Sequence, residues 1–247
     1  MITCDLNCDM GEGIGNDKAI MPFITSANIA CGYHTGDETT MRETVLLAKE
    51  AGVAIGAHPS FLDKENFGRT EIKDITPQQL YELVTEQIRI LAKIAEGCST
   101  TLHHVKPHGA LYNMAARDAQ LAAAIARAVC DFDKALVLFG LSGSCLISEA
   151  KAIGLTTASE VFADRTYQDD GSLTPRTKPN ALIEGEEQSL RQVLQMVKSG
   201  IVTSTAGKEI SIAAETICLH GDGKTAVVFA EAINRKLKAE GVQIAKP

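Results

Sequence analysis

The chain has 247 residues, 45 % hydrophobic and 22 % charged, a globular balance with apolar material enough for one large α/β domain. Its formal net charge is −7 with the basic residues dispersed, and aromatic residues make up 4 % without any tryptophan, so neither a nucleic-acid backbone nor a stacked base is an expected partner. No apolar run approaches the roughly 20 residues of a membrane span, and the start Met1-Ile2-Thr3-Cys4-Asp5 lacks the pattern of an export signal, so a cytoplasmic location without membrane contact is expected.

The first predicted strand, 2–9, runs into Asp5-Leu6-Asn7-Cys8-Asp9-Met10-Gly11-Glu12. Alternation places Asp5, Asn7 and Asp9 on one face and Cys4, Leu6 and Cys8 on the other. Three polar side chains pointing into a sheet interior are costly unless they bind one another or a ligand. A second strand, 26–31, leads to Gly32-Tyr33-His34-Thr35-Gly36-Asp37, with Asp37 at the start of a helix over 37–51. Taken alone, Asp37 reads as an N-cap. Gly52 ends that helix, and strand 53–60 carries His58 at its end. The next helix, 76–96, opens with Thr76 and Pro77, an N-cap and a first-turn proline, and repeats apolar residues at helical spacing until Gly97.

Strand 102–108 contains His103-His104-Val105-Lys106-Pro107-His108, with His104, Lys106 and His108 on one face. Strands over 135–140, 155–163 and 213–220 follow, interleaved with helices over 118–130, 144–153, 186–199 and 223–239. The sixth strand leads to Glu160-Val161-Phe162-Ala163-Asp164-Arg165 and the seventh to Leu219-His220-Gly221-Asp222. Seven strand–helix alternations predict a parallel sheet with helical crossovers, all in one domain spanning 1–247. Polar residues close nearly every strand, whereas an open sheet would concentrate them at one switch point. A (β/α) barrel of about seven parallel strands is therefore expected. Residues 164–184 are long and turn-rich, and read as a functional loop over the barrel mouth.

Three apparent motifs fail. Gly223-Lys224-Thr225 lacks the P-loop glycine, because position 218 is Cys; Ser144 stands where a nucleophile elbow needs glycine; and Gly11-Glu12-Gly13-Ile14-Gly15 lacks dinucleotide spacing. Seven cysteines, an odd number without any CxxC pair, read as free thiols, most of them acting as small hydrophobes.

Read together, the segments DLNCDMGEGIGND, IMPFITSANIACGYHTGD, GVAIGAHPS, NFGRT, VKPHGALYN, EVFADRTYQDDGSLTPR and ICLHGD resemble the LamB/YcsF family, in order, from residue 3 to about 222. Two small departures, at Asn66–Thr70 and at Asn180, leave the strand-end polar residues untouched. The resemblance implies a distorted barrel similar to polysaccharide deacetylases. It also implies opening of the lactam of 5-oxo-L-proline to L-glutamate with cleavage of ATP, alongside partner subunits B and C. Within that frame Asp9, His34, Asp37, Lys106, His108, Asp164 and Arg165 are the expected catalytic residues. Asp9 or His108 would activate water, while Lys106 and Arg165 would neutralise phosphate or carboxylate. Asn7, Glu12, Asn28 and His220 are expected substrate contacts. The deacetylases hold a divalent metal with one Asp and two His, which maps onto Asp9, His58 and His108. A metal-dependent deacetylase or amidohydrolase working without ATP is the alternative. As strand-end residues in a cleft, Lys106 and His108 are expected to matter for activity and little for stability.

Overall fold

A computed structural model describes residues 2–219 and 226–247. The elements follow as β1 (Thr3–Met10), α1 (Asp17–Ile20), a 3-10 turn (Met21–Phe23), β2 (Ser26–Ala30), α2 (Glu38–Ala51), β3 (Ala54–His58) and α3 (Pro77–Gly97). Next come β4 (His104–Val105), α4 (Gly109–Arg117), α5 (Ala119–Phe132), β5 (Val137–Leu141), α6 (Cys145–Ala152) and β6 (Thr157–Phe162). The chain ends with α7 (Glu186–Ser199), β7 (Ile201–Thr203), β8 (Glu209–Ser211), β9 (Thr216–Leu219), α8 (Ala226–Ala239) and β10 (Gln243–Ile244).

Seven parallel strands, β1-β2-β3-β4-β5-β6-β9, form a closed barrel, because β9 pairs with both β6 and β1. Closure removes every open edge from this sheet. β10 adds two residues alongside the start of β1, and β7 and β8 form a separate antiparallel hairpin. Neither feature is expected from the sequence, since runs of two or three residues carry no readable period. The predicted fourth strand spans 102–108, but only His104 and Val105 form a ladder. Pro107 has no N–H to give, yet extended backbone continues, with Lys106 N and His108 N bonded to the carbonyls of Ala57 and Pro59.

The helices start where local chemistry satisfies their first N–H groups. Thr76 and Gln79 form a reciprocal capping box ahead of α3. Asp118 accepts from Gln120 N and Leu121 N at the start of α5. The glycine-initiated α4 is absent from the predicted elements, and it delivers Tyr112 to the site.

The strand alternation read from β1 holds in three dimensions. Cys4, Leu6, Cys8 and Met10 pack into the main apolar core between barrel and helices. Asp5, Asn7 and Asp9 face the barrel interior, which is polar where many such barrels are filled with branched aliphatics. At the base, Asp5 accepts hydrogen bonds from Thr25, Ser26 and Thr216. Burial still raises its carboxyl above the ordinary value, against those donors. One layer higher, the Asn7 amide donates to Glu160 and Thr216 while its oxygen accepts from Asn28 and Lys106. The Asn28 amide oxygen accepts from Nε2 of His104, whose ring lies flat on Phe139 at 4.3 Å. All seven cysteines are unpaired.

Candidate active site

Above this layer, β1 and β3 and the extended backbone after β4 deliver Asp9, His58 and Lys106 to one point. The Lys106 ammonium is 2.9 Å from Asp9 Oδ1, 2.9 Å from Glu160 Oε1 and 3.1 Å from Cys218 Sγ. Only 2 % of Lys106 is exposed, so these pairs are shielded from water. Burial by itself disfavours the charged amine, but the carboxylates of Asp9 and Glu160 outweigh it and hold Lys106 well above the ordinary lysine value. Burial also keeps Cys218 a neutral thiol, its ionisation pushed far up. Tyr112 donates to the other oxygen of Glu160 at 2.7 Å, completing a braced acid–lysine–acid group.

A cluster of imidazoles stands beside it. Nε2 of His58 is 3.3 Å from Asp9 Oδ2 and 2.9 Å from Nδ1 of His108. The His34 ring stacks on His108 at 3.9 Å, with Nε2 3.3 Å from Glu12 Oε1. Burial lowers His34 to about 3 and takes His108 well below the ordinary imidazole value, so both are neutral at physiological pH. Donor atoms of Glu12, His34, His58 and His108 all lie within 4.8 Å of one another. Asp9 stands outside that group. The expected metal set of Asp9, His58 and His108 shares only the two histidines with this group: Glu12 and His34 converge on them, while Asp9 holds Lys106 and Asn28 with Oδ1 and stands 3.3 Å from His58 Nε2 with Oδ2.

A cavity of about 710 Å³ opens over the centre. Its lining includes Asp9, Glu12, His58, Lys106, His108, Tyr112 and Arg165. The loop over 164–184 builds one wall through Gln168, Leu173, Pro175 and Arg176. Two isolated bridges, Arg165 with Leu182 and Tyr167 with Leu173, tie the loop to itself. Arg165 is buried and donates to the carbonyls of Thr174 and Ala181, so it organises the wall as well as lining the cavity. Burial lowers its guanidinium to about 10, which leaves it charged at neutral pH.

Several expected site residues lie elsewhere. Asn7 and Asn28 are fully buried beneath the cavity, and their amides are used in bracing Asp9, Lys106 and Glu160, so the expectation that they touch substrate is corrected. Asp37 is corrected from catalysis to capping: it is exposed and accepts from the N–H and hydroxyl of Thr40 at the start of α2. Asp37→Ala is expected to lower the thermal midpoint modestly while turnover is retained, read from thermal unfolding and an activity assay. Asp164 is half-buried at the foot of the loop, outside the cavity lining, and its backbone oxygen accepts from Ile183 N. His34 sits behind His108 rather than on the cavity wall. His220 lies outside the described residues. The expected set lacks Glu160 and Tyr112. The sequence signal for Glu160 is its place near the end of a polar-ended strand; nothing local marks Tyr112.

Fold and centre together define a closed β/α barrel with a lysine, carboxylates and histidines gathered at the carboxyl ends of its strands. The same fold occurs in a family 4 carbohydrate esterase from Streptomyces lividans, with a TM-score of 0.56 at 11 % identity over 99 % of this chain and 92 % of that one. Residues 4–247 match the LamB/YcsF family, and the chain belongs to that family. It is 54 % identical over 245 residues to the A subunit of 5-oxoprolinase from Bordetella pertussis, covering 97 % of each chain. A lactam utilization protein from Thermus thermophilus superposes with a TM-score of 0.91 at 40 % identity over 99 % of both chains.

Proposed function

We propose that this chain is the A subunit of an ATP-dependent 5-oxoprolinase, opening the lactam of 5-oxo-L-proline to L-glutamate with release of ADP and phosphate. The observation that carries the reading is the 54 % identity, over 97 % of each chain, to the A subunit of the Bordetella pertussis 5-oxoprolinase. The site supplies chemistry suited to it.

A five-membered lactam closes readily from glutamate, so its opening needs coupling to ATP. In the proposed sequence the lactam oxygen attacks the γ-phosphorus and the bond to ADP breaks, leaving an activated imidate. Water then adds to the ring carbon and gives a proton to Asp9, whose Oδ2 lies 3.3 Å from His58 at the cavity floor. The adduct collapses by breaking the ring carbon–nitrogen bond, and the freed amine takes up a proton. That leaves an open-chain acyl phosphate, which a second water hydrolyses to glutamate and phosphate. In this sequence Lys106 would stabilise negative charge that develops beside Asp9, and Arg165 would meet phosphate or substrate carboxylate across the cavity. Neutral His108 lines the same cavity.

The chain contains no standard nucleotide motif, so ATP is proposed to bind at the barrel mouth together with surfaces of partner subunits B and C, in the cytoplasm. None of the helices among the described residues is long and apolar enough to cross a membrane. The test is glutamate release from 5-oxoproline by the purified chain alone and with both partner subunits, with and without ATP. The expected result is turnover only with all three subunits and ATP. Lactam opening by this chain alone without ATP would replace the reading with the metal-dependent amidohydrolase alternative.

A further inference from the structure

The three imidazoles above the barrel are each held by the outer ring nitrogen. Nδ1 of His58 lies 2.7 Å from the carbonyl oxygen of Lys106, and Nε2 of His108 lies 3.0 Å from that of Phe67. A carbonyl only accepts, so each of those nitrogens carries the proton. The Ser60 hydroxyl donates to the Phe61 carbonyl at 3.0 Å, which leaves its oxygen to accept from Nδ1 of His34 at 2.9 Å. Three tautomers are thereby set. The inner nitrogens, Nε2 of His34 and His58 and Nδ1 of His108, are left to face one another and the Glu12 carboxylate.

The inner nitrogens of His58 and His108 are 2.9 Å apart, that of His58 is also 3.3 Å from Asp9 Oδ2, and that of His34 is 3.3 Å from the Glu12 carboxylate. Three close contacts among imidazole nitrogens and carboxylates in one buried place need positive charge shared between them, as protons or as a metal ion. A ligating histidine whose other N–H is held by a backbone carbonyl is also the usual arrangement around a protein-bound metal.

We propose that Glu12, His58 and His108, with His34 as fourth ligand, form a divalent transition-metal site. Three imidazoles and one carboxylate suit zinc or a similar ion better than magnesium or calcium, which prefer all-oxygen sites. Such an ion supplies Lewis acidity at the cavity wall. His58, His108 and Glu12 already converge. The His34 ring lies parallel to His108, at an interplanar angle of 9°, so one of the two rings tilts for both to reach the same ion. Loss of His34 therefore weakens binding less than loss of His108. Asp9 is not a ligand here; its Oδ1 remains with Lys106 and Asn28. Gly68 packs this cluster tightly, since a Cβ there would stand 3.0 Å from both His34 and His108. The proposal goes beyond the lactam reading and is tested without any turnover assay.

The full-length chain is stripped with chelator, freed of it, and titrated with zinc chloride by calorimetry and with cobalt(II) by visible absorption. One equivalent should bind, and cobalt should develop the intense visible bands of a low-coordinate nitrogen-ligated ion. Glu12→Gln and His108→Ala should each weaken zinc binding about 100-fold, and Ser60→Ala about 10-fold through the freed His34 ring. Asp9→Asn should weaken zinc binding less than Glu12→Gln, because Asp9 adds a neighbouring charge 3.3 Å from His58 Nε2 without being a ligand. Circular dichroism confirms that each variant is folded, and the isosteric Glu12→Gln carries the test if His108→Ala is not. Absence of stoichiometric binding to the native chain would overturn the proposal and leave shared protons as the bridging charge. Binding lost in Asp9→Asn and kept in Glu12→Gln would overturn the ligand set.

Discussion

Lys106→Met is expected to remove turnover and to destabilise the fold together. Its ammonium is the cation between two buried carboxylates, Asp9 and Glu160, with a third polar contact from Asn7. Deleting one partner of a buried ionic group leaves the others uncompensated, at a cost of about 3–5 kcal/mol. Loss of a charge placed where the transition state develops its own should lower kcat by about 100- to 1,000-fold. This reverses the expectation that a strand-end lysine matters little for stability: its 2 % exposure and its four partners make it part of the barrel interior. Denaturant unfolding and glutamate release by the assembled enzyme measure the two effects separately. In the double variant Lys106→Met/Glu160→Gln, one of the stranded charges is gone. It should recover part of the stability and none of the activity. Native-like stability in the single variant would refute the structural half of the argument, and native-like turnover the catalytic half.

Gly56→Ala should damage the fold from a position outside the cavity lining. A Cβ on Gly56 would stand 2.1 Å from Nε2 of His104, well inside any tolerable contact. The His104 ring has no room to retreat, since it is fully buried, bonded to Asn28 at 2.8 Å and stacked on Phe139. Overpacking of this kind costs about 3 kcal/mol at the upper end of its usual range. Displacing the ring also disturbs Asn28, which donates to Asp9 at 2.9 Å, so turnover should fall with stability. Gly56→Ala combined with His104→Ala should lose less stability than the two single losses summed, because both act on one overlap. Strict additivity in thermal unfolding would show that the overlap is not the cause.

What is legible in the chain and what is not divides by range. The alternation of β1, the caps of α2 and α3, and the order of strands and helices come from residues two to four positions apart, and the sequence contains them in full. Polar residues at strand ends also mark Asp9, His58, Lys106 and His108, because a parallel barrel brings those ends to one rim whatever its details. Partners across the barrel are not legible. Asn7 and Asn28 carry the same residue type as a substrate contact, and only the interior hydrogen-bond network shows that their amides are used by Glu160, Asp9 and Lys106. Tyr112 reaches Glu160 from a helix with little local signal, across 48 positions of sequence.

Local pattern and motif suffice to show an alternating α/β chain of the LamB/YcsF family whose polar chemistry gathers where strands end. Tertiary structure decided which of those polar groups meet. It put Asp37 on an exposed helix start, brought Glu12 and His34 to His58 and His108, and made Lys106 a structural as well as a chemical centre. The physical reason is barrel closure. Periodicity says which face a side chain takes along its own strand, but the distance between two strand ends is set by the pairing of β9 with β1, 211 positions apart from Asp5 to Thr216.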